Sequence, residues 1–428
     1  MNIVTLALKI ENTVKPVLMK IFPVSFLRSV KGFLIRSSMD KIEERENQGL
    51  WRKNRPDGIN MVGYIKAEIG LGQSCRLVAS AIQDSGIAFT VYNYEQVSAM
   101  RYSDKTWEDK ITNTAPYNIN LIHINPYEMP LAYLQLGEAL WEGRYNIAYW
   151  LWELGQFPKE WEQSLKLVDE IWTPSEHASA SVRNVTDKPV HTIPYPIEMD
   201  TANLEKREFF GLPPELFLFL CMYDCNSTME RKNPMGVIHA FKLAFPEQQD
   251  DVGLIIKMNN PQKQDMDILH AALEGYSNIH IIADVLEKQQ VNSLIACADV
   301  FVSLHRAEGF GLVIAEAMYL GTPVIATNWS SNVEFMDDDS SCLVDYTLVE
   351  LAQDVGPYKK GAIWADPDEA QAAEYMARLF LDKEYYESKR DGAMAHVRRG
   401  LSPELAAKRV RTRIEKIYKE VELIWNGL

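Results

Sequence analysis

Residues 298–327 contain the feature that most constrains the fold of this chain, a unit of strand, loop, helix and strand. An apolar run predicts a strand over Val300–Leu304, and a glycine-containing loop separates it from a predicted helix over Leu312–Leu320. Gly321 ends that helix, and an apolar run from Thr322 predicts the next strand. Strands separated by helices pair in parallel. The unit therefore predicts an α/β fold with parallel sheets.

The same alternation runs through two successive parts of the chain, which meet at the proline-rich turn 193–196. In the first part, strands are predicted at Ile59–Ile65, Ala88–Tyr92, Asn120–Ile124, Ile147–Leu151, Glu170–Thr173 and Val190–Ile193, and helices at Gly72–Asp84 and Pro158–Leu167. In the second part, strands are predicted at Leu216–Met222, Leu254–Met258, His280–Ala283, Val300–Leu304, Pro323–Ala326 and Cys342–Val344. Helices are predicted there at Pro234–Phe245, Asp265–Leu273, Glu287–Ala296 and Leu312–Leu320, and three more begin near Pro367, Lys383 and Pro403. Two similar doubly wound domains in tandem predict a ligand site in the cleft between them.

Composition excludes some classes of partner and fits a cytoplasmic protein. The 428 residues allow two or three domains, and the net charge of −15 argues against nucleic acid as the main partner. Five cysteines, an odd number without the spacing of a zinc site, fit a reducing compartment. No run reaches the roughly 18 apolar residues that a membrane-spanning helix needs.

The first 37 residues differ from the rest because they are basic on an acidic protein. Their apolar residues are interspersed with six Lys and Arg residues, and Glu11 is the single opposing charge. This pattern predicts either an amphipathic segment on an anionic membrane surface, which would place the protein at the inner face of the membrane, or a helix packed on its own domain. The charge-dense segment 40–54 predicts a connector. The expected domains are an extension over 1–50, domains over 51–200 and 201–385, and C-terminal helices over 386–428.

The loop that follows Val300–Leu304 has the composition of a site for a nucleotide sugar. Gly309, Phe310 and Gly311 bring a helix N-terminus to the end of a strand, where unpaired backbone N–H groups and the helix dipole favour an anion such as phosphate. Glu308 and Glu316 would repel phosphate but accept hydrogen bonds from sugar hydroxyls. The alternative is two surface glutamates on an ordinary βαβ unit.

Adjacent basic residues follow the first strand of the second part. Arg231 and Lys232 precede Pro234, which suits the first turn of a helix, so both cations are expected beside the cleft. There they would stabilise the charge of a departing diphosphate. A solvated charged turn is the alternative. Lys257, at the end of the next strand, is a further candidate.

The first part offers weaker candidates. Gly70 and Gly72 form a loop through which a ligand could approach the backbone, although turn chemistry alone accounts for them. His123, at a strand end, is either a proton-transfer or sugar-binding residue or a structural one. The aromatic stretch Tyr149–Leu154 could stack an acceptor sugar or fill a core. Asp337–Asp339 predicts a turn cap, and no metal site is predicted.

The segment Glu308–Glu316, EGFGLVIAE, resembles the E-x7-E signature of retaining glycosyltransferases, and its flanks resemble glycosyltransferase family 4. ERKNP at 230–234 and the helix after it are similar to that family's phosphate-binding region. The resemblance is strong over 215–382, moderate over 59–200, and does not cover the first fifty residues.

The resemblance implies a GT-B fold, in which two Rossmann-like doubly wound domains face a central cleft and C-terminal helices cross back to the first domain. It implies that Glu308 contacts sugar hydroxyls with the Phe310 and Gly311 amides nearby, and that Glu316 binds ribose. Arg231 and Lys232 would hold the diphosphate. The implied reaction is metal-free and cofactor-free retaining transfer of a hexose-type sugar from a nucleotide diphosphate sugar. The acceptor would be a glycan or lipid-linked molecule of bacterial-type surface polysaccharide synthesis.

Three departures from the family pattern concern the acceptor geometry and the phosphate site. No arginine lies several residues before Lys232, the second histidine of a His-x-His is Asn125, and Ser330-Ser331 replaces a glycine pair.

Two other functions fit the same residues, a nucleotide-sugar epimerase of this architecture and a non-catalytic glycan-binding scaffold.

Overall fold

The computed structural model describes residues 23–40, 42, 55–95, 101–246 and 249–426. The first 22 residues of the basic segment and most of the predicted connector, residues 43–54, lie outside the described residues.

The first domain is built on a six-stranded parallel sheet with the order β2-β1-β3-β4-β5-β6, counted over the described residues. Its strands are β1 (Ile59–Gly63), β2 (Phe89–Asn93), β3 (Ile119–His123), β4 (Tyr145–Tyr149), β5 (Glu170–Thr173) and β6 (Val190–Thr192). Its α-helices are Val24–Met39, Gly70–Ser85, Met129–Leu136 and Glu176–Arg183, with 3-10 helices at Glu108–Lys110, Glu138–Leu140 and Lys159–Leu167.

The second domain repeats this plan with the order β12-β11-β10-β7-β8-β9. Its strands are β7 (Phe217–Asp224), β8 (Val252–Asn259), β9 (Ile279–Ile282), β10 (Val300–Ser303), β11 (Val324–Thr327) and β12 (Cys342–Val344). Its α-helices are Met229–Lys232, Pro234–Ala244, Lys263–Ala272, Lys288–Cys297, Leu312–Leu320, Glu369–Leu381 and Lys383–Gly400, with 3-10 helices at Arg207–Phe210, Cys225–Ser227 and Ser331–Glu334. The two parallel sheets confirm the predicted fold class.

A β-hairpin that the sequence did not predict follows β12. Its strands, β13 (Tyr346–Glu350) and β14 (Ile363–Pro367), pair antiparallel and are joined by the loop 351–362. Leu351 and Trp364 are buried in the same apolar cluster as residues of the first domain. The hairpin therefore connects the two domains.

The predicted strand at Ile147–Leu151 is wrong by two residues, because β4 begins at Tyr145. Buried asparagines in register explain the shift: Asn60 donates to Asn120 Oδ1 (2.9 Å), and Asn120 donates to Asn146 Oδ1 (2.8 Å). This ladder satisfies polar groups inside the sheet, which an apolar pattern does not indicate. The segment predicted as a helix over Pro158–Leu167 is the 3-10 helix Lys159–Leu167.

The last helix, Pro403–Asn426, crosses back to the first domain as predicted and packs against Gly70–Ser85. Arg413 forms a bidentate pair with the buried Glu170 of β5, at 2.8 and 2.6 Å. Tyr418 donates to Asn118 Oδ1 and accepts from the Gly58 amide. No helix among the described residues combines the length and the apolar character that crossing a bilayer requires.

Candidate functional site

The loop between β10 and the helix Leu312–Leu320 faces the first domain. Gly311 caps the helix at φ +85°, a left-handed conformation that a residue with a side chain rarely adopts. A Cβ at Gly309 would lie 3.2 Å from the Trp152 carbonyl oxygen of the first domain. Ser175, also of the first domain, donates to the Gly309 carbonyl at 2.8 Å. The glycines therefore allow the loop to approach both the helix and the opposite domain closely.

Glu308 is buried in this loop between two cations. Its carboxylate accepts from Lys232 Nζ and lies 3.4 Å from Arg231 Nη1. Burial opposes ionisation of the Glu308 carboxyl, but Lys232 and then Arg231 outweigh burial and lower its pKa to about 2. The structure thus brings together the three residues that the sequence singled out for sugar and diphosphate.

A strained turn positions the two cations. The short helix Met229–Lys232 lies between Thr228 at φ +63° and Asn233 at φ +51°. A β-branched residue rarely adopts a positive φ, whereas asparagine tolerates it. Arg231 Nη1 donates to the Ala307 carbonyl at 2.7 Å, which ties the turn to the residue before Glu308.

The two serines that replace a glycine pair hold the backbone of Glu308. The Glu308 amide donates to Ser330 Oγ (2.9 Å), and Ser331 Oγ donates to the Glu308 carbonyl (2.6 Å). Ser330 has φ +74°, so it keeps the left-handed conformation that glycine would adopt easily. The departure from the family pattern therefore supplies two hydrogen bonds to the site.

Glu316 lies in the second turn of the helix Leu312–Leu320, where its buried carboxylate accepts from Lys288 Nζ at 2.5 Å. Lys288 is the first residue of the preceding helix, and the sequence analysis missed it. The sequence signal that could have identified Lys288 was a lysine at the start of a helix that follows the end of a strand. Phe310 has a buried ring that packs on Tyr195 and Phe335, so only its backbone can contact a ligand.

His123 is enclosed at the end of β3. Its Nε2 is 2.7 Å from Ser74 Oγ, and its ring stacks on Tyr149 with the centroids 5.0 Å apart. Burial lowers the pKa of His123 to about 3, which keeps the ring neutral. Nδ1 is buried without a hydrogen-bond partner. The role in proton transfer stays a prediction, and the side chain lies within a closed polar network rather than on an open surface.

The remaining candidates differ in exposure. A Cβ at Gly72 would lie 2.0 Å from the Ala67 carbonyl oxygen, whereas Gly70 has no heavy atom within 4 Å of the corresponding point. Gly72 thus serves close packing, and Gly70 remains open to a ligand. Lys257 is buried and donates to Asn259 Oδ1 at 2.6 Å, and burial lowers its pKa to about 8.

Within the part of the chain that the structure describes, no group of three or more His, Cys, Asp or Glu side chains is arranged to hold a metal ion. The Asp337 carboxylate accepts from the Ser340 amide at 2.9 Å and caps a turn, as the sequence predicted.

Residues 225–394 match the family described as Glycosyl transferases group 1. The second domain is a group 1 glycosyltransferase domain. Its matched region contains the turn with Arg231 and Lys232, the Glu308 loop and the hairpin 346–367. No curated protein matches the sequence.

Solved structures of low sequence identity share the fold of most of this chain. HepE of Anabaena, in complex with UDP and glucose, is 12% identical with a TM-score of 0.61, and the match covers 84% of this chain and 100% of that one. A glycosyltransferase from Rickettsia africae has a TM-score of 0.60 at 12% identity, over 85% of this chain and 98% of that one. Sucrose-phosphate synthase from Thermosynechococcus elongatus has a TM-score of 0.60 at 13% identity, over 85% and 100%. The chain therefore has the GT-B fold, and the family match of its second domain identifies it as a glycosyltransferase.

Proposed function

We propose that this glycosyltransferase moves a hexose-type sugar, with retention of anomeric configuration, from a nucleotide diphosphate sugar to a glycan or lipid-linked acceptor of surface polysaccharide synthesis. The observation that carries the proposal is the buried Glu308 held by Lys232 and Arg231 directly before a helix N-terminus. This arrangement supplies a hydrogen-bond acceptor for sugar hydroxyls beside cations for a diphosphate.

In the proposed reaction, Arg231, Lys232 and the backbone amides before Leu312 stabilise the diphosphate as it leaves. A helix terminus contributes about 0.3–1 kcal/mol, whereas enzymatic acceleration requires about 8 kcal/mol or more. The two side chains and the positioning of both substrates must supply the difference. Arg231 is suited to this because its guanidinium is already fixed by the Ala307 carbonyl. Glu316 binds ribose in this proposal, and Lys288 orients its carboxylate.

The first test is a thermal-shift screen of UDP-, GDP- and ADP-sugars, because a bound ligand raises stability by mass action. Lys232→Ala should then lower turnover of the best donor by at least about a hundredfold with the fold intact. Lys383→Ala is the matched control, since this lysine is 86% exposed on a distant helix. Near wild-type turnover in Lys232→Ala would contradict the phosphate assignment. Conversion of the donor sugar without an acceptor would instead favour an epimerase.

We also propose that the N-terminal segment binds an anionic membrane surface, which would place the enzyme at the inner face of the membrane. The helix Val24–Met39 has two apolar faces. Met39 is buried, and Ile35 packs on the first domain, whereas Val30, Phe33 and Leu34 are 40%, 64% and 37% exposed. The exposed three have the i, i+3, i+4 spacing of one helix face. Exposed apolar side chains in a basic segment complement an anionic lipid surface.

Co-sedimentation with vesicles tests this. Phe33→Asp should lower binding to phosphatidylcholine vesicles containing 30% phosphatidylglycerol by at least tenfold. Leu381→Asp, which changes an equally apolar side chain that is 78% exposed elsewhere, should not change it. Equal binding of both variants would rule out this face.

A further inference from the structure

Arg231 contacts a second carboxylate, Glu153, which belongs to the first domain. Arg231 Nη1 lies 3.4 Å from Glu308, and Nη2 lies 3.9 Å from Glu153 Oε1. The Glu153 side chain is 24% exposed, against 5% for Arg231 and 11% for Glu308. Glu153 is therefore the accessible member of this group, and it reaches the proposed diphosphate site from the opposite wall of the cleft.

The hairpin 346–367 places Tyr358 beside the segment that carries Glu153. Tyr358, in the loop of the hairpin, is buried, and its ring lies 5.5 Å from that of Trp152. Burial, and then the nearby Glu153 carboxylate, raise the pKa of Tyr358 well above its usual range. The Tyr358 phenol therefore keeps its proton at physiological pH and is a hydrogen-bond donor close to this carboxylate.

Two contacts anchor the hairpin to the phosphate side of the cleft. A Cβ at Gly356 would lie 2.5 Å from Thr228 Cγ2, so the loop rests on the turn that carries Arg231. Arg306 donates to Asp366 Oδ1 (2.7 Å) and to the Glu230 carbonyl (2.7 Å). The hairpin thus contacts both Trp152, the residue before Glu153, and the turn that carries Arg231.

Aromatic rings surround the approach to this carboxylate. Trp161 lies 4.6 Å from Trp152 and 5.6 Å from Tyr127, measured between ring centroids. Tyr127 is 53% exposed. Tyr127 is therefore the exposed ring of this cluster. An exposed aromatic ring beside a polar group is typical of a site for a ligand with an apolar face and polar edges, such as a sugar ring.

We propose that Glu153 binds the attacking hydroxyl of the sugar acceptor and receives its proton, with Tyr358 as the residue that positions the carboxylate. This inference rests on the proposed function. The bond from the acceptor oxygen to the anomeric carbon forms while the bond from that carbon to the diphosphate breaks, and the electron pair leaves with the diphosphate. The hydroxyl proton moves to Glu153, which releases it to solvent. Arg231 contacts Glu153 and, in the proposed function, the diphosphate. A hydroxyl bound by Glu153 therefore enters on the same side of the sugar as the leaving group, as retention requires.

Sodium azide tests this assignment even when the acceptor is unknown. Azide is an anion that attacks the anomeric carbon without losing a proton, so it does not need a general base. In Glu153→Ala, hydrolysis of the donor found in the screen should fall at least tenfold, since removal of a general base generally costs about a hundredfold or more. Sodium azide should restore nucleotide release and yield a glycosyl azide of retained configuration. Glu160→Ala, which changes an exposed glutamate nearby, should behave as wild type.

The controls separate this inference from the proposed function. Calorimetry should give a UDP affinity for Glu153→Ala no weaker than that of wild type, because the diphosphate contacts belong to the second domain and the change removes a negative charge beside Arg231. Tyr358→Phe should show a smaller loss of hydrolysis with the same azide response. Unchanged hydrolysis in Glu153→Ala, or a loss that azide does not restore while UDP still binds, would overturn the assignment. Failure of the wild type to turn over any donor would instead contradict the proposed function.

Discussion

The buried carboxylate of Glu308 is ionised because two cations offset the cost of removing it from water. Its pKa falls to about 2 in the folded protein, compared with about 4.3 for glutamate in an unfolded chain. A depressed carboxyl pKa contributes stability that is fully present above about pH 4.3 and is lost as the pH falls through about 2. The stabilising interactions of Glu308 are therefore pH-dependent.

Glu308→Gln should lower the free energy of unfolding by about 1–3 kcal/mol at pH 7, because hydrogen bonds to charged groups are replaced by neutral ones. The difference in the free energy of unfolding between wild type and variant, measured by urea unfolding, should decrease as the pH is lowered from 4 to 2. A difference that stays constant over this range would show that Glu308 is not ionised in the folded protein. At pH 7 the variant should lose turnover of donor more than affinity for UDP.

At the scale of the element, the first turn of the helix Gly70–Ser85 contains two glycines, Gly70 and Gly72, that differ in their surroundings. A side chain at Gly72 would collide with the backbone at Ala67, whereas one at Gly70 would meet open space. Gly72→Ala should lower the free energy of unfolding by about 1–3 kcal/mol or more. Gly70→Ala should leave it unchanged or raise it by up to about 1 kcal/mol, since alanine favours helix.

Urea unfolding midpoints of the two variants provide the comparison. Equal destabilisation would contradict the packing argument for Gly72. A loss of donor turnover in the stable Gly70→Ala variant would indicate that ligand approaches the backbone at this end of the helix.

The elements that the sequence predicted are those with a regular apolar period. The helix Leu312–Leu320 and the strands β5 and β12 have the predicted bounds, because glycine, proline or charged residues flank each of them. The hairpin was missed because neither strand has a regular apolar period, β13 being largely exposed, and because its contacts form with a distant part of the chain. Glu153, Tyr358 and Lys288 were missed for the same reason, since each acquires its partner only through the fold.

At the scale of the molecule, contacts across the cleft place the Glu308 loop against the first domain. Glu334 accepts from the Glu176 and His177 amides at 2.8 Å, at the N-terminus of a first-domain helix. Ser175, which precedes the same helix, also donates a hydrogen bond to the Gly309 carbonyl. The start of this first-domain helix therefore packs against the Glu308 loop of the second domain. The local pattern predicted two domains and a cleft, but it had no signal for these pairs, which are separated by more than a hundred residues.

The returning helix Pro403–Asn426 offers a prediction about how the domains are held together. Arg413 and Glu170 form a buried pair in which Glu170 also accepts from Tyr145 and Trp172. Removing one partner of a buried pair leaves an uncompensated charge and typically costs about 3–5 kcal/mol.

Arg413→Ala should therefore lower the urea midpoint strongly. Lys416→Ala, on the same helix with an exposed partner at 3.7 Å, should change the free energy of unfolding by less than about 1 kcal/mol. Tryptophan fluorescence, to which the buried Trp172 beside Glu170 contributes, is a suitable signal for both variants. If the two variants unfolded at the same urea concentration, the helix would be held by its apolar face and not by the buried pair.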